Sequence, residues 1–171
     1  MTFPTGITLL GVNMLFVAFV LYIIALNLAG KVGGKETAAM CILVGGLNTV
    51  SALYNGLILG DTGSMAGNLL FGFTYLFFAM DILWESDTFT GLGNYALCVA
   101  VTTIPFIGVN IGAGAFVLAF YWILWGQLWA GFWIANGLQK NIAKGLTVDT
   151  FITAALNLVG AIGFLFGWLD F

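Results

Sequence analysis

The sequence has very few charged side chains. Its 171 residues include four lysines but no histidine and no arginine, and only 6% of the chain is charged while 61% is hydrophobic. A soluble domain carries about a quarter charged residues, so this composition indicates an integral membrane protein. The scarcity of basic residues excludes a nucleic-acid-binding surface. The absence of histidine removes the side chain that usually senses pH near neutrality.

Cysteine is also scarce. Cys41 and Cys98 each lie inside an apolar run with no second cysteine nearby, which argues against a metal site, and no cofactor is predicted. Without histidine and with short loops, no pair of nucleophile and general base can be assembled, so the sequence does not predict an enzyme. The N-terminus lacks a basic region, and the first apolar run is too long for a signal peptide. We therefore expect it to be retained as a membrane span.

Six apolar runs are long enough to cross a bilayer, which takes about 20 mostly apolar residues. The fourth run is the weakest, because it is short and contains Pro105. The connections are too short to hold a soluble domain, so residues 1–171 are predicted to form a single all-α domain, a bundle of six transmembrane helices. The predicted spans are residues 7–28, 37–59, 65–84, 95–110, 113–138 and 148–168.

The lysines predict the orientation of these spans. Lys31 and Lys35 lie between spans one and two, and Lys140 and Lys144 lie between spans five and six. Six spans put both loops on the same side, which the positive-inside rule assigns to the cytoplasm. Both termini are then expected to be extracytoplasmic. Three spans in each half are compatible with an inverted repeat of the kind found in transporters.

Four of the six tryptophans lie in residues 121–133. At helical pitch they fall within an arc of about 80°. An interfacial aromatic belt is one interpretation, but the ladder extends about 16 Å along the helix axis, which favours a face that lines the interior of the protein. The four residues are Trp122, Trp125, Trp129 and Trp133.

Two other spans also repeat large apolar residues on one helical face. In span three Phe71 and Tyr75 are one turn apart. Taken alone, such stripes are more typical of helix packing than of a pore. The face of span one covers an arc of about 60° and consists of Leu10, Met14, Val17 and Leu21.

Ionisable residues are almost absent from the span interiors. A pore with this lining suits a small, planar, neutral and polar solute, because an ion would lose its hydration without compensation. Asp81, near the end of span three, is the exception, and it supports the alternative of a proton-coupled small-solute transporter. The buried amides are expected to form interhelical hydrogen bonds; they include Asn13, Asn48, Asn55 and Asn157.

The chain resembles the AmiS/UreI family of bacterial urea and short-chain amide channels over nearly its whole length. The motifs that carry the resemblance are GVNMLFVAFVLY, AGKVGGKETAAMCILVGGLNTV, LLFGFTYLFFAMD, TTIP and WILWGQLW. The resemblance implies a homohexamer in the bacterial inner membrane, with a separate pore in each protomer that passes urea or small amides. It also implies a functional link to a cytoplasmic amidase or urease.

The resemblance further implies which side chains form the pore constrictions. They are Leu10, Met14, Val17, Leu21, Phe71, Tyr75, Trp122, Trp125, Leu128 and Trp129. The acid-activated channels of the family have long histidine-rich outward segments and a carboxylate in the last span. This chain has no histidine, and residues 151–168 contain no acid. It therefore resembles the amide-channel branch more closely than the acid-activated branch.

Overall fold

The computed structural model describes the backbone of residues 5–169 and the side chains of residues 9–169. Within this part of the chain all regular structure is helical, and six helices are long and apolar enough to cross a membrane. The prediction of an all-α protein with six spans is confirmed. The helices are α1 (Thr5–Leu28), α2 (Gly34–Leu53), α3 (Thr62–Leu83), α4 (Thr90–Gly112), α5 (Phe116–Phe132) and α6 (Ala143–Leu165).

The helix that most exceeds its predicted length is α4, which is about two turns longer than the predicted span of residues 95–110. The last helix, α6, covers residues 143–165 rather than the predicted 148–168. Pro105 lies inside α4 rather than ending it. Membrane helices tolerate proline better than soluble ones do. Here Pro105 is on the exposed side of α4, so its missing N–H does not disturb a packed face.

Two of the helices end in a π-helical turn. α2 continues into Tyr54–Ile58, and α5 continues into Trp133–Gly137. Each half of the chain therefore has the same order of elements, as an inverted repeat requires. The packing is not repeated, because α1 packs closely on α6 whereas their counterparts α4 and α3 touch only lightly.

The helices associate as three close pairs, α1 with α6, α2 with α3, and α4 with α5. Glycines permit these approaches, as is common between membrane helices. Gly45 of α2 faces Gly72 of α3, and a Cβ on Gly45 would lie 2.9 Å from the Gly72 carbonyl oxygen. Where α4 crosses the π-helical turn at the end of α5, a Cβ on Gly93 of α4 would overlap the backbone amide of Gly137.

The two ends of the bundle differ in their loops. Gly34 is close to Ile82, so the first lysine loop lies beside the end of α3, and the contact between Gly93 and Gly137 brings the end of α5 to the same side. This is the lysine end. The opposite end carries Asp61, and we call it the Asp61 end. The prediction that both termini are extracytoplasmic concerns the two ends of the chain. Residues 1–4 and 170–171 at these ends lie outside the described residues.

Candidate functional site

Two of the cavities formed by the described residues are lined by side chains from several helices of the bundle. The Asp61-side cavity has a volume of about 170 Å³, and the lysine-side cavity has a volume of about 30 Å³. A single water molecule needs about 10–15 Å³ of such volume. The lysine-side cavity therefore has room for about two water molecules, while the Asp61-side cavity can hold a small organic solute.

The Asp61-side cavity has a mixed lining. One wall is apolar, formed by the span-one residues Leu10, Met14 and Val17 together with Trp122 of α5. The remaining lining is rich in polar side chains that carry no charge, apart from Asp61 near the end of the bundle. These polar residues are Asn13, Asn48, Asn55, Ser64, Asn68 and Asn157.

Asp61 caps the start of α3. Its carboxylate accepts a hydrogen bond of 2.9 Å from the Ser64 backbone amide, an arrangement that satisfies one of the free N–H groups of the first helical turn. Hydrogen bonds from the side chain and the backbone of Ser64 hold the pKa of the Asp61 carboxyl below its usual value. Asp61 is therefore ionised at neutral pH and gives this end of the cavity its one negative charge.

The lysine-side cavity is almost entirely apolar. Six of the predicted pore residues lie in its wall, four of them in this cavity alone, and Tyr75 and Thr74 contribute the only hydroxyl groups of the lining. The four predicted residues in this cavity alone are Leu21, Tyr75, Leu128 and Trp129, and they are joined by Ile24, Phe78, Leu92, Ala96 and Phe132.

The two cavities meet at a cluster of aromatic rings formed by Phe71, Trp125 and Trp129, which we call the aromatic cluster. Phe71 and Trp125 line both cavities. The Phe71 ring centroid lies 4.7 Å from that of Trp125, edge to face at 86°, and 4.6 Å from that of Trp129. All three side chains are buried, and because two of them belong to both linings, the cluster lies where the two cavities adjoin.

The tryptophan ladder extends from this cluster toward the Asp61 end. Trp122 stacks on Phe106 of α4 at 4.2 Å and meets Trp125 edge to face at 5.2 Å. Trp133, the fourth residue of the ladder, lines neither of these cavities. It begins the π-helical turn at the end of α5.

Asn157 of α6 holds the Trp125 ring in position. The indole N–H of Trp125 donates a hydrogen bond of 3.1 Å to Asn157 Oδ1, and Asn157 Nδ2 donates to the Thr153 carbonyl at 2.9 Å. The side chains of Trp125 and Asn157 are both buried. The indole N–H of Trp125 is thus already paired and is not a free donor to a solute.

Asp81 lies apart from these features. Its carboxylate accepts a hydrogen bond of 3.2 Å from the Ser86 hydroxyl, and Oδ2 has no partner among the described residues. The side chain is 7% exposed, but it lines neither the Asp61-side cavity nor the lysine-side cavity.

A sequence model described as the AmiS/UreI family of transporters matches residues 9–167, which is nearly the whole chain. The chain belongs to the AmiS/UreI family. The family expected from the sequence motifs is therefore confirmed.

This AmiS/UreI protein is similar to relatives named for two kinds of solute. It is 32% identical over 160 residues to a proposed transporter of amidate substrates from Mycolicibacterium smegmatis, a match that covers 88% of this chain and 72% of that protein. It is 29% identical over 172 residues to the acid-activated urea channel of Helicobacter pylori, covering 80% of this chain and 86% of the channel.

The fold of this AmiS/UreI protein matches solved structures of the same Helicobacter pylori channel. The crystal structure of that urea channel superposes with a TM-score of 0.83 at 26% identity, covering 94% of this chain and 99% of the channel. The cryo-electron microscopy structure of its closed state superposes with a TM-score of 0.83 at 28% identity, covering 94% of this chain and 100% of the channel.

All ten residues predicted to form the pore constrictions line at least one of the two cavities; their role in solute passage stays a prediction. Four asparagines for which only interhelical hydrogen bonds were predicted also line the Asp61-side cavity, namely Asn13, Asn48, Asn55 and Asn157. A signal of this lining was present in span one. Asn13 is three residues after Leu10 and four before Val17, so it shares the helical face of the predicted stripe.

Proposed function

We propose that this AmiS/UreI protein is a passive channel for urea or short-chain aliphatic amides. The observation that carries the proposal is the pair of cavities on either side of the aromatic cluster of Phe71, Trp125 and Trp129. The names of the relatives, a urea channel and an amidate transporter, support the same class of solute.

The lining of the two cavities explains which solutes would pass. An ion that enters the apolar lysine-side cavity loses its hydration and meets no opposite charge there, which is costly. A neutral, planar amide loses much less hydration free energy, and its flat shape suits a gap between aromatic rings. The asparagines of the Asp61-side cavity replace part of its water shell. The cavities therefore favour urea and small amides over ions.

Acid gating is not part of the proposal. The chain contains no histidine, which is the side chain whose unperturbed pKa lies between pH 5 and 8. The last helix, α6, has only Asp149 as an acidic residue, and its carboxylate is exposed and accepts a hydrogen bond from Gln127. We propose an open channel whose permeability does not change on acidification.

The orientation and assembly complete the proposal. The lysine end faces the cytoplasm of a bacterial inner membrane, the termini are extracytoplasmic, and six protomers form a ring that works beside a cytoplasmic amidase or urease. The lysine loops support the orientation through the positive-inside rule. The outer face of α4 supports packing against lipid or a neighbouring protomer, because Val101, Ile104 and Val109 are exposed on it.

Solute flux into proteoliposomes tests the proposed function. We expect stopped-flow light scattering to show rapid entry of urea and acetamide, slow entry of glycerol, and equal rates at neutral and acidic pH. Empty liposomes provide the baseline. Amide entry no faster than this baseline would contradict the proposal, and a strong increase at acidic pH would contradict the ungated form of it.

Asp81→Asn tests the alternative of proton-coupled transport. Because Asp81 lines neither cavity, we expect this substitution to leave urea permeability unchanged and an uncoupler to have no effect on urea entry. Asp87→Asn, an exposed site at the same end of the bundle, is the matched control. Accumulation of urea against its gradient that is lost with Asp81→Asn but kept with Asp87→Asn would favour the coupled transporter.

A further inference from the structure

Asn13 of α1 has a buried hydrogen-bond donor without an acceptor. The side chain is 2% exposed, and Nδ2 has no partner among the described residues. Native structures pair nearly all buried polar groups, so an exception calls for a specific explanation. Asn13 lines the Asp61-side cavity, so a molecule in that cavity lies beside the residue whose amide lacks an acceptor.

Ser51 of α2 fixes the direction of this donor. Its buried hydroxyl donates a hydrogen bond of 2.9 Å to Asn13 Oδ1, so the oxygen of the Asn13 amide is engaged between the helices. The NH₂ group at the other end of the amide remains unpaired.

Asn48 lines the same cavity, and its amide has an unused acceptor where that of Asn13 has an unused donor. Asn48 Nδ2 donates to the Val44 carbonyl at 2.9 Å, and its Oδ1 makes no hydrogen bond within residues 9–169. Asn157, by contrast, uses both Oδ1 and Nδ2 for protein contacts. The cavity wall therefore offers a donor on Asn13 and an acceptor on Asn48.

This pattern is complementary to an amide. A primary amide or urea carries one carbonyl oxygen, which accepts hydrogen bonds, and NH₂ groups, which donate them. A neutral solute that lacks a strong acceptor leaves the Asn13 donor unpaired, and sites built to pair a polar group discriminate strongly against such analogues.

We propose that Asn13 Nδ2 donates a hydrogen bond to the carbonyl oxygen of urea or an amide in the Asp61-side cavity, and that this bond selects carbonyl solutes. The inference rests on the proposed function, which it deepens by naming a binding residue. This hydrogen bond replaces one that the solute made to water before it entered the cavity. It forms before the solute reaches the aromatic cluster.

The ratio of urea to thiourea permeability tests this role. Thiourea keeps both NH₂ groups, but its sulfur is a weaker acceptor than the carbonyl oxygen of urea. We expect Asn13→Leu in proteoliposomes to lower the ratio by about three- to tenfold, the effect of losing one hydrogen bond. Asn13→Ala is the second variant in case leucine prevents folding, since a wider cavity changes the entry of both solutes in the same direction.

Ser51→Ala is the matched control. It breaks the bond between α1 and α2 but keeps the Asn13 NH₂ group, so we expect it to retain most of the urea preference. An unchanged ratio in a folded, monodisperse Asn13 variant would overturn the inference and leave the proposed channel intact. An equal fall with Ser51→Ala would also overturn it, because the loss would then be structural. Wild-type protein that passes neither solute faster than empty liposomes would overturn the channel itself.

Discussion

Replacing Phe71 with alanine should join the two cavities and admit solutes that the native protein excludes. The Phe71 ring contacts both Trp125 and Trp129 at under 5 Å between centroids. Each aromatic contact contributes about 0.5–1.5 kcal/mol, and on the proposed route a solute must separate these rings. Losing both contacts is expected to raise glycerol permeability by about tenfold, while urea permeability rises less. The measurement is the ratio of urea to glycerol entry into proteoliposomes.

Phe73→Ala is the matched control for this experiment. Phe73 is in the same helix, but 48% of its side chain is exposed and it lines neither cavity. We expect its solute ratio to equal that of the native protein. A Phe71→Ala protein that folds and still excludes glycerol as strongly as the native protein would show that the aromatic cluster is not the barrier.

Replacing Gly93 with alanine should strongly destabilise the protein. A Cβ at this position would overlap the Gly137 amide nitrogen and lie 2.6 Å from the Asn136 carbonyl carbon. These are backbone atoms, which cannot rotate away as a side chain can, so α4 and the end of α5 must separate. Overpacking of this kind costs typically about 1–3 kcal/mol. The decrease is measured as a lower midpoint of thermal unfolding in detergent.

Gly108→Ala separates this steric effect from the loss of a glycine as such. Gly108 is also in α4, and a Cβ there would have no neighbour within 4 Å. Alanine is favoured over glycine in a helix by up to about 1 kcal/mol, so the control is expected to unfold at the native temperature or above it. If Gly93→Ala unfolded at the same temperature as Gly108→Ala, the close crossing of the two helices would be disproved.

The same substitution should reduce urea flux. Leu92 and Ala96 flank Gly93 on α4 and line the lysine-side cavity. Displacing α4 to relieve the overlap therefore changes the shape of that cavity. We expect Gly93→Ala, measured at a temperature where it remains folded, to pass urea more slowly than Gly108→Ala in matched proteoliposomes.

The chain's hydropathy alone determined the class of protein and the number of its helices. Six long apolar runs separated by short polar connections leave no other structure that satisfies the backbone in a bilayer. The predicted span at α4 was too short chiefly at its start, because the helix begins at Thr90 rather than Tyr95. Pro105 lies inside both the predicted span and the observed helix, and it is exposed.

Helical periodicity also grouped the large apolar side chains along one face of each helix. The spacing of Leu10, Met14, Val17 and Leu21 aligns them along α1, and the spacing of Trp122, Trp125 and Trp129 aligns those along α5. Side-chain position around one helix is a local property, set by 3.6 residues per turn. For this reason a sequence pattern suffices to group these residues.

Only the tertiary structure decided what each face meets. Asn13 and Asn157 are both buried amides in apolar helices, and the sequence does not distinguish them. Asn157 is fully paired because Trp125 lies across from it on α5, whereas Asn13 has Ser51 on one side and a cavity on the other. Likewise Asp81, the acid that suggested proton coupling, lines neither of the two cavities. Hydrogen bonding and cavity lining depend on atoms from other helices, and their positions are set by packing, not by local spacing.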